Sequence, residues 1–235
     1  MDVAKAFTYV TEDERWIGKV GIGALISLLG ILIVPLLLLP GYLVGITRNV
    51  MHGEERPLPE WEDFGTLFKD GISVVLAQIV YTLPFWLLMC IAIVATAGFG
   101  SLAEMSEEAA AVGITGTALL IVCLSFLFAI ALFFISPAIV IQYARENELS
   151  ACFRFGEVIG IARDNIADIL IAALASFAAS FAISLVIGGI NFIPCLGQIA
   201  SLILGIATGP YLMMISGHLY GQIAAKDGGK AAGFA

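Results

Sequence analysis

Long stretches without a charged residue dominate the pattern of hydrophobic and polar positions. Four of them lack Asp, Glu, Lys and Arg, and they cover residues 72–96, 115–143, 169–190 and 199–223. Each is long enough to cross a hydrocarbon layer, which takes about 20 apolar residues. Backbone polar groups in lipid must find partners within their own segment, so these stretches predict transmembrane helices. The expected fold class is an all-α, polytopic transmembrane helical bundle.

A fifth apolar stretch, residues 20–46, is interrupted by Pro35, Pro40 and Gly41. It can be one kinked span, or a hairpin of two short helices, 20–34 and 41–51, that enters the membrane and returns. The hairpin places every lysine and arginine on one side, as expected when basic loops stay cytoplasmic, and this favours it. A second local signal, the Thr-Glu-Asp-Glu sequence ending at Glu14, matches a capping box and predicts a helix that begins at Glu12.

The loop charges predict the orientation of the chain. The basic residues outside the apolar stretches concentrate in 47–70, in 144–168 and at the C-terminus, whereas 101–113 is acidic and 191–198 is uncharged. Basic loops mark the cytoplasmic side. We therefore expect a multi-pass protein of the plasma membrane, with the C-terminus in the cytoplasm and, for the hairpin, the N-terminus there too. A single membrane domain, 1–225, would precede a flexible tail, 226–235.

The loop after the fifth stretch is dense in charge, proline and aromatic residues. Aromatic rings favour the boundary between lipid and water, and prolines stiffen an extended lead-in. We therefore predict an interfacial segment over 57–70, with its acids, including Asp70, facing water. Its interfacial or partner-docking residues are Pro57, Pro59, Trp61, Phe64 and Phe68.

A weak internal repeat supports a second interfacial segment, 151–167. Shifting the sequence by 91 residues places Phe64 on Phe155 and Phe68 on Ile159. Apolar positions around Phe155 and Ile159 recur at helical spacing, opposite charged ones, as in an amphipathic helix lying at a membrane surface. Phe155 and Ile159 therefore join the candidate interfacial or docking residues.

Composition agrees with a membrane class and excludes others. The chain has 235 residues, of which 60% are hydrophobic and 13% charged, with a mean hydropathy of +1.01. Its net charge of −8 argues against nucleic-acid binding, which requires basic patches. No sequence motif of a hydrolase, metalloprotease or nucleotide-binding enzyme is present. We therefore expect a non-enzymatic protein whose partners are the lipid bilayer and other membrane protein subunits.

Small residues recur every four positions in the last two apolar stretches, a spacing that lets helices approach closely in lipid. Two explanations remain open: packing of the two helices on each other, and a face for a partner protein. The candidate helix-packing residues are Ser176, Ser180, Ser184 and Gly188 in one helix, and Gly205, Gly209, Gly217 and Gly221 in the other.

His218, near the end of the last apolar stretch, is flanked by small residues. A histidine in this setting can bind the metal of a haem or a chlorophyll, but a lone histidine is weak evidence, and a hydrogen bond at the helix end is the favoured explanation. The four cysteines, Cys90, Cys123, Cys152 and Cys195, have no metal-ligand spacing. We therefore expect no metal site and no cofactor, with His218 as the one candidate ligand.

The segment 41–72 carries the pattern G-E-x-x-P-L-P-E-W-x-D-F-G-x-L-F-x-D-G from Gly53 to Gly71. It resembles the hallmark segment of an uncharacterised integral-membrane family of archaea and bacteria, and the likeness extends more weakly over most of the chain. The resemblance implies a multi-helix membrane domain, but it implies no activity, substrate or catalytic residue. The chain departs from the pattern at Gly45 and Thr47, where family members usually carry more basic residues.

Two functions fit these observations. A structural or accessory subunit of a larger membrane complex would use the small-residue faces and the interfacial segments. A transporter or permease for small molecules or lipids would use a polar cavity near Gln78, Tyr81 and Ser136. Transporters usually place ionisable residues at mid-membrane, and the mid-membrane polar residues of the four long stretches are uncharged, which favours the accessory subunit.

Overall fold

A computed structural model of the chain describes residues 1–31, 33–101 and 106–231, and the regular structure within these ranges is helical. The helices are α1 Val3–Glu12, α2 Trp16–Leu28, α3 Ile33–Leu36, α4 Leu38–Met51, α5 Phe64–Ser101, α6 Glu107–Glu146, α7 Leu149–Cys152, α8 Phe155–Asp164, α9 Ile166–Ile190 and α10 Leu196–Ala231. A 3₁₀ turn, Leu29–Ile31, links α2 to α3.

The four charge-free stretches lie within α5, α6, α9 and α10, which are long and apolar enough to cross a membrane. The ends of α6 show why such a helix starts and stops where it does. Ser106 caps its first turn by accepting a hydrogen bond from the backbone N–H of Ala109 at 3.3 Å. Asn147, with φ of 55°, ends it in the left-handed conformation that asparagine tolerates. The chain is thus an all-α membrane protein.

The fifth apolar stretch folds as a hairpin. Helix α2 has 13 residues, a rise of about 20 Å, whereas the hydrocarbon core is about 30 Å thick. At the open end of the hairpin both arms bind one segment of chain: Lys19 Nζ donates to the carbonyl of Leu58 at 2.9 Å, and Asn49 Nδ2 donates to that of Pro57 at 3.0 Å. The start of α2 and the end of α4 therefore lie at the same end of the molecule.

The long helices meet at this same end, here called the charged end. The start of α5 meets the end of α6 through Asp70 and Tyr143, 2.9 Å apart. The start of α9 meets the end of α10 through an ion pair between Asp168 and Lys226 at 3.0 Å. Hydrogen bonds and ion pairs at the charged end thus connect elements far apart in sequence. The opposite end, where α5 turns into α6 and α9 into α10, is here called the apolar end.

The hydrophobic core lies in the charged half. Residues 138–144 of α6 are buried against Val74 of α5, Val158 of α8 and Ile223 of α10. Toward the apolar end the helices leave this core. The most apolar 18-residue stretches of α5 and α6 are 6% and 0% buried. The fold therefore consists of two long hairpins, α5–α6 and α9–α10, joined at the charged end and largely bare beyond it.

Several element boundaries differ from the sequence prediction. The capping-box prediction was wrong, because α1 ends at Glu12 instead of beginning there. Residues 64–70 are the first turns of α5 and form no separate interfacial helix, whereas α8 is separate from α9. Helix α10 continues through the expected tail to Ala231, and residues 232–235 lie outside the described part of the chain.

Candidate functional site

A buried ammonium group holds the α2–α4 hairpin to the segment that follows it, residues 53–72, here called the strip. Lys19 is only 4% exposed. Its Nζ lies 2.8 Å from Asp13 Oδ2, 2.9 Å from Glu60 Oε1 and 2.9 Å from the carbonyl oxygen of Leu58. Three acceptors match the three N–H donors of an ammonium group, which satisfies the charge away from water. This cluster is here called the Lys19 clamp.

The clamp also sets the protonation of Asp13. Burial works against the charged carboxylate, but the hydrogen bond from Lys19, the backbone N–H of Arg15 and the positive charge of Lys19 outweigh it. The pKa of the Asp13 carboxyl is therefore lowered from its ordinary value of 3.8. The clamp stays ionised down to acidic pH.

Trp61, predicted to face the lipid boundary, is instead buried at 6% exposure. Its indole stacks on the ring of Tyr42 at 4.1 Å and 10° between planes. Its Nε1 donates to the carbonyl of Lys19 at 3.0 Å, and the Tyr42 hydroxyl donates to that of Pro59 at 3.0 Å. The prediction was wrong because the α2–α4 hairpin folds against the strip and supplies a protein surface for the indole to cover.

The remaining interfacial candidates divide by exposure. Phe64 is 51% exposed, while Pro57 is buried and Pro59 and Phe68 are partly buried. In the second repeat, Phe155 is 49% and Ile159 is 51% exposed. Phe64 and Phe155, which the shift of 91 relates, are the first residues of α5 and α8 and are equally exposed. These rings remain available to lipid headgroups or to a partner.

Asp70, predicted to face water, is 2% exposed. It accepts a hydrogen bond from the Tyr143 hydroxyl at 2.9 Å and pairs with Arg48 Nη2 at 3.2 Å. Arg48 also donates to Asn147 Oδ1 at 2.9 Å. The carboxylate therefore joins α4, α5 and α6 through these contacts. Its sequence position beside the solvated acids of the loop gave no signal of this.

The small-residue rows split into a contacting and an open part. A Cβ at Gly217 would lie 3.1 Å from Ile46, and one at Gly221 would lie 2.8 Å from the carbonyl oxygen of Thr47. Both glycines thus pack against α4, and not against α9 as the hairpin explanation required. By contrast, apart from the neighbouring backbone of the same helix, no described heavy atom lies within 4 Å of a Cβ built at Gly188, Gly205 or Gly209.

The serines of the α9 row have modest roles. Ser176 Oγ and Ser216 Oγ of α10 are 3.2 Å apart, which is a contact within the α9–α10 hairpin. Ser184 Oγ donates to the carbonyl of Ser180 at 2.7 Å within α9 itself. The outer part of this row, like the outer glycines, makes no close contact with another helix that the structure describes.

His218, on the face of α10 that packs against α1, is buried at 3% exposure. Its ring lies 4.4 Å from that of Tyr9, and its Nδ1 lies 3.0 Å from Gln222 Nε2. It lines a cavity of about 270 Å³, below the 300–1,000 Å³ usual for drug-sized ligands. A haem or chlorophyll does not fit this space without displacing α1. Among the described residues, no group of three or more His, Cys, Asp or Glu could hold a metal ion.

The polar side chains expected to line a transport cavity bind other groups of the protein. Gln78 Nε2 donates to Ser136 Oγ at 2.6 Å, and the Tyr81 hydroxyl donates to the carbonyl of Cys152 at 2.9 Å. A pocket of about 390 Å³ does open between α2, α9 and α10, but its lining, which includes Val20, Ala182 and Leu204, is almost entirely apolar.

Comparison with known proteins gives a family and no function. The sequence profile of a family described as a protein of unknown function (DUF4013) matches residues 24–192, well over half of the chain. No curated protein and no solved structure matches the chain.

Proposed function

The chain belongs to the DUF4013 family, and we propose that it serves as a non-enzymatic structural or accessory subunit of a larger membrane complex. In this role the charged end is a self-sufficient folded base. The two hairpins extend from it into the membrane and contact helices of partner subunits.

The bareness of the α5–α6 hairpin carries this proposal. Outside the charged half, α5 and α6 touch chiefly each other, as in the stacking of Phe85 on Phe128 at 4.9 Å. None of the most apolar stretch of α6 is buried within the chain. Helices in membranes gain stability from van der Waals packing against other helices, and within the described chain the outer half of α6 packs chiefly against α5 alone. Partner helices would supply it.

Two further features support an assembly role. Gly205 and Gly209 keep the surface of α10 free of side-chain bulk where no helix of the chain contacts them, which permits close approach of another backbone. The polar groups within the spans, such as Gln78 and Ser136, bind each other instead of lining an aqueous path. Both features suit a helix-packing protein better than a carrier of polar solutes.

Extraction of the native membrane in mild detergent, followed by a native gel and mass spectrometry, tests the proposal. An accessory subunit migrates at a mass well above 24.8 kDa, with other membrane proteins in fixed stoichiometry. Migration as a monomer or small homo-oligomer, without partners, would contradict it.

Site-specific photocrosslinking in cells locates the contact. A photoreactive residue at Phe126, 66% exposed on α6, should give a discrete protein adduct. The same probe at Ile17, 70% exposed near the charged end, is the matched control and should give lipid adducts only. Equal protein crosslinking at both positions would contradict a specific contact between the α5–α6 hairpin and a partner subunit.

A second candidate, lipid handling, is favoured by the apolar pocket between α2, α9 and α10. Its volume of about 390 Å³ falls in the range of ligand pockets, and its lining residues are almost all apolar, as suits a hydrocarbon chain. Replacement of Ala182, which lines the pocket, by Phe should displace such a chain. Mass spectrometry of lipid retained by the purified protein would then show a loss relative to Ala178→Phe, made at an exposed position of the same helix that does not line the pocket.

A further inference from the structure

A small polar cavity opens at the charged end between α1, the end of α4 and α10. It has a volume of about 270 Å³, and its polar lining includes Lys5, Glu12, Glu54 and His218. Helix α4 ends at Met51 and is capped by His52. Gly53 follows with φ of 75°, and the amide of Glu54 donates to the carbonyl of Asn49 at 3.0 Å. This cap turns the chain back so that Glu54 and Glu55 lie at the cavity.

The hydrogen bonds around Gln222 decide which nitrogen of His218 carries the proton. Gln222 Oε1 accepts from the amide of Asp2 at 2.6 Å, and its Nε2 donates to the carbonyl of Asp2 at 2.8 Å. Two backbone groups thus fix the orientation of the side-chain amide. The Nε2 that lies 3.0 Å from His218 Nδ1 is therefore a donor, and Nδ1 accepts. His218 is neutral, with its proton on the other ring nitrogen.

That second nitrogen, His218 Nε2, has no hydrogen-bond partner in the described part of the chain, although the residue is only 3% exposed. Protein atoms do not fully enclose this nitrogen, so it reaches open space. The cavity is the open space that His218 lines. An N–H group in this position favours a ligand atom that accepts a hydrogen bond.

The charges around the cavity are mixed, with an excess of acid. One ammonium group, that of Lys5, stands among four carboxylates, those of Asp2, Glu12, Glu54 and Glu55. Lys5 and His218 can both donate to an oxyanion, while the carboxylates attract a cation. A simple anion would be repelled by the acids, and a simple cation would leave the His218 donor unpaired.

We propose that this cavity binds a small zwitterion, in which an oxyanion contacts His218 Nε2 and Lys5 and an organic ammonium group contacts the carboxylates of Glu12, Glu54 and Glu55. The ammonium group and oxyanion can belong to a free metabolite or to a lipid headgroup at the membrane surface. The site is separate from the bare hairpins and does not depend on the proposed assembly role.

Nuclear magnetic resonance of the histidine side chains tests the proposal directly, because the chain has two histidines. The full-length protein, labelled with ¹⁵N-histidine, is titrated in detergent micelles with O-phosphoethanolamine, and separately placed in nanodiscs of phosphatidylethanolamine or phosphatidylcholine. We expect a saturable shift of the His218 Nε2 signal, with the exposed His52 unchanged as an internal control. A shift with the free compound assigns a soluble ligand, and a shift in phosphatidylethanolamine nanodiscs alone assigns a headgroup. No shift in any of these arms would overturn the proposal.

Variants separate binding from a general effect on the fold. Lys5→Met and Glu12→Gln should each weaken the apparent affinity about ten-fold, the loss expected for one charge-assisted hydrogen bond. Lys5→Arg should bind as the native chain does. Glu14→Gln removes an exposed carboxylate that pairs with Arg56 away from the cavity, and it should change nothing. Unchanged binding in both Lys5→Met and Glu12→Gln would overturn the assignment of these residues.

Discussion

Individual residues at the charged end show how a protein with few charges uses them. Lys19, Asp13 and Asp70 are each less than 10% exposed, and each is satisfied by opposite charge or hydrogen bonds from a different segment. Breaking a buried pair leaves an uncompensated charge, which costs far more than an exposed pair contributes. These residues are therefore where single substitutions should have the largest effects.

Asp13→Asn should lower the free energy of unfolding by about 3 kcal/mol at neutral pH, because Lys19 loses its closest carboxylate. The native carboxyl has a lowered pKa, so its contribution is present above the ordinary pKa of 3.8 and is lost as the pH falls further. Denaturant titrations in mixed micelles at several pH values would measure both effects.

The matched control for Asp13→Asn is Glu14→Gln, which breaks a pair whose side chains are 79% and 71% exposed. It should change stability by less than about 0.5 kcal/mol. Equal losses in the two variants would show that the Lys19 clamp contributes no more than a surface pair. A variant Asp13→Asn that retained the acid sensitivity of the native chain would assign that sensitivity to other carboxyls.

At the scale of elements, close contact between helices explains why glycine stands where it does in α4, α5 and α10. A Cβ at Gly41 would overlap the carbonyl of Leu67, and one at Gly71 would overlap that of Leu37, so α4 and α5 cross backbone to backbone. Gly217 and Gly221 allow the same approach between α4 and α10. The short helix α4 is thus held tightly between two long helices.

Gly221→Ala should destabilise the protein by about 1–3 kcal/mol, because its methyl group would press on the backbone of Thr47 and on Val50. Gly205→Ala, on the same helix but with open space around it, should be neutral or stabilise by up to about 1 kcal/mol through helix propensity. Thermal unfolding in one detergent compares them. A loss at Gly205 in the purified chain would indicate a contact there that the isolated fold does not provide.

The elements were more predictable from the sequence than the contacts between them. Charge-free length identifies α5, α6, α9 and α10, since lipid leaves few alternatives to a helix. The exposure of Trp61 and Asp70 was mispredicted because a local pattern cannot show that the α2–α4 hairpin covers Trp61, or that Tyr143 of α6 reaches Asp70. Lys19 sits in no helical register with Asp13 or Glu60, and the chain must fold before they meet.

On the scale of the whole molecule, the lysines and arginines of the described residues gather at one end, and the two hairpins extend from it toward an end that carries Glu107 and Glu108. The hairpin fold of the fifth apolar stretch, residues 20–46, makes this possible, because it returns the chain to the end from which it entered. The loop charges predicted this arrangement, because the prediction compares the basic residues of all loops and does not depend on any single contact.

Single cysteines in a cysteine-free background test this arrangement. Positions 14 and 54, at opposite ends of the α1–α4 region but both at the charged end, should react with a membrane-impermeant maleimide from the same side of a sealed vesicle. Position 106, at the start of α6, should react from the other side. Labelling of 14 and 54 from opposite sides would require the fifth apolar stretch, residues 20–46, to cross the membrane once.

The central position of α10 bears on how the protein is made. This helix packs on α1, α2, α4, α6 and α9, yet it is the last of these to leave the ribosome, and it lies beyond the region 24–192 that defines the family match. Until it is translated, the glycine-lined contacts between α4 and α10 and the carbonyl that receives the Tyr9 hydroxyl do not exist. The surfaces of α1, α2, α4, α6 and α9 that α10 covers therefore stay uncovered until it is made. This interval is when an insertion factor or a partner subunit has the greatest opportunity to engage them.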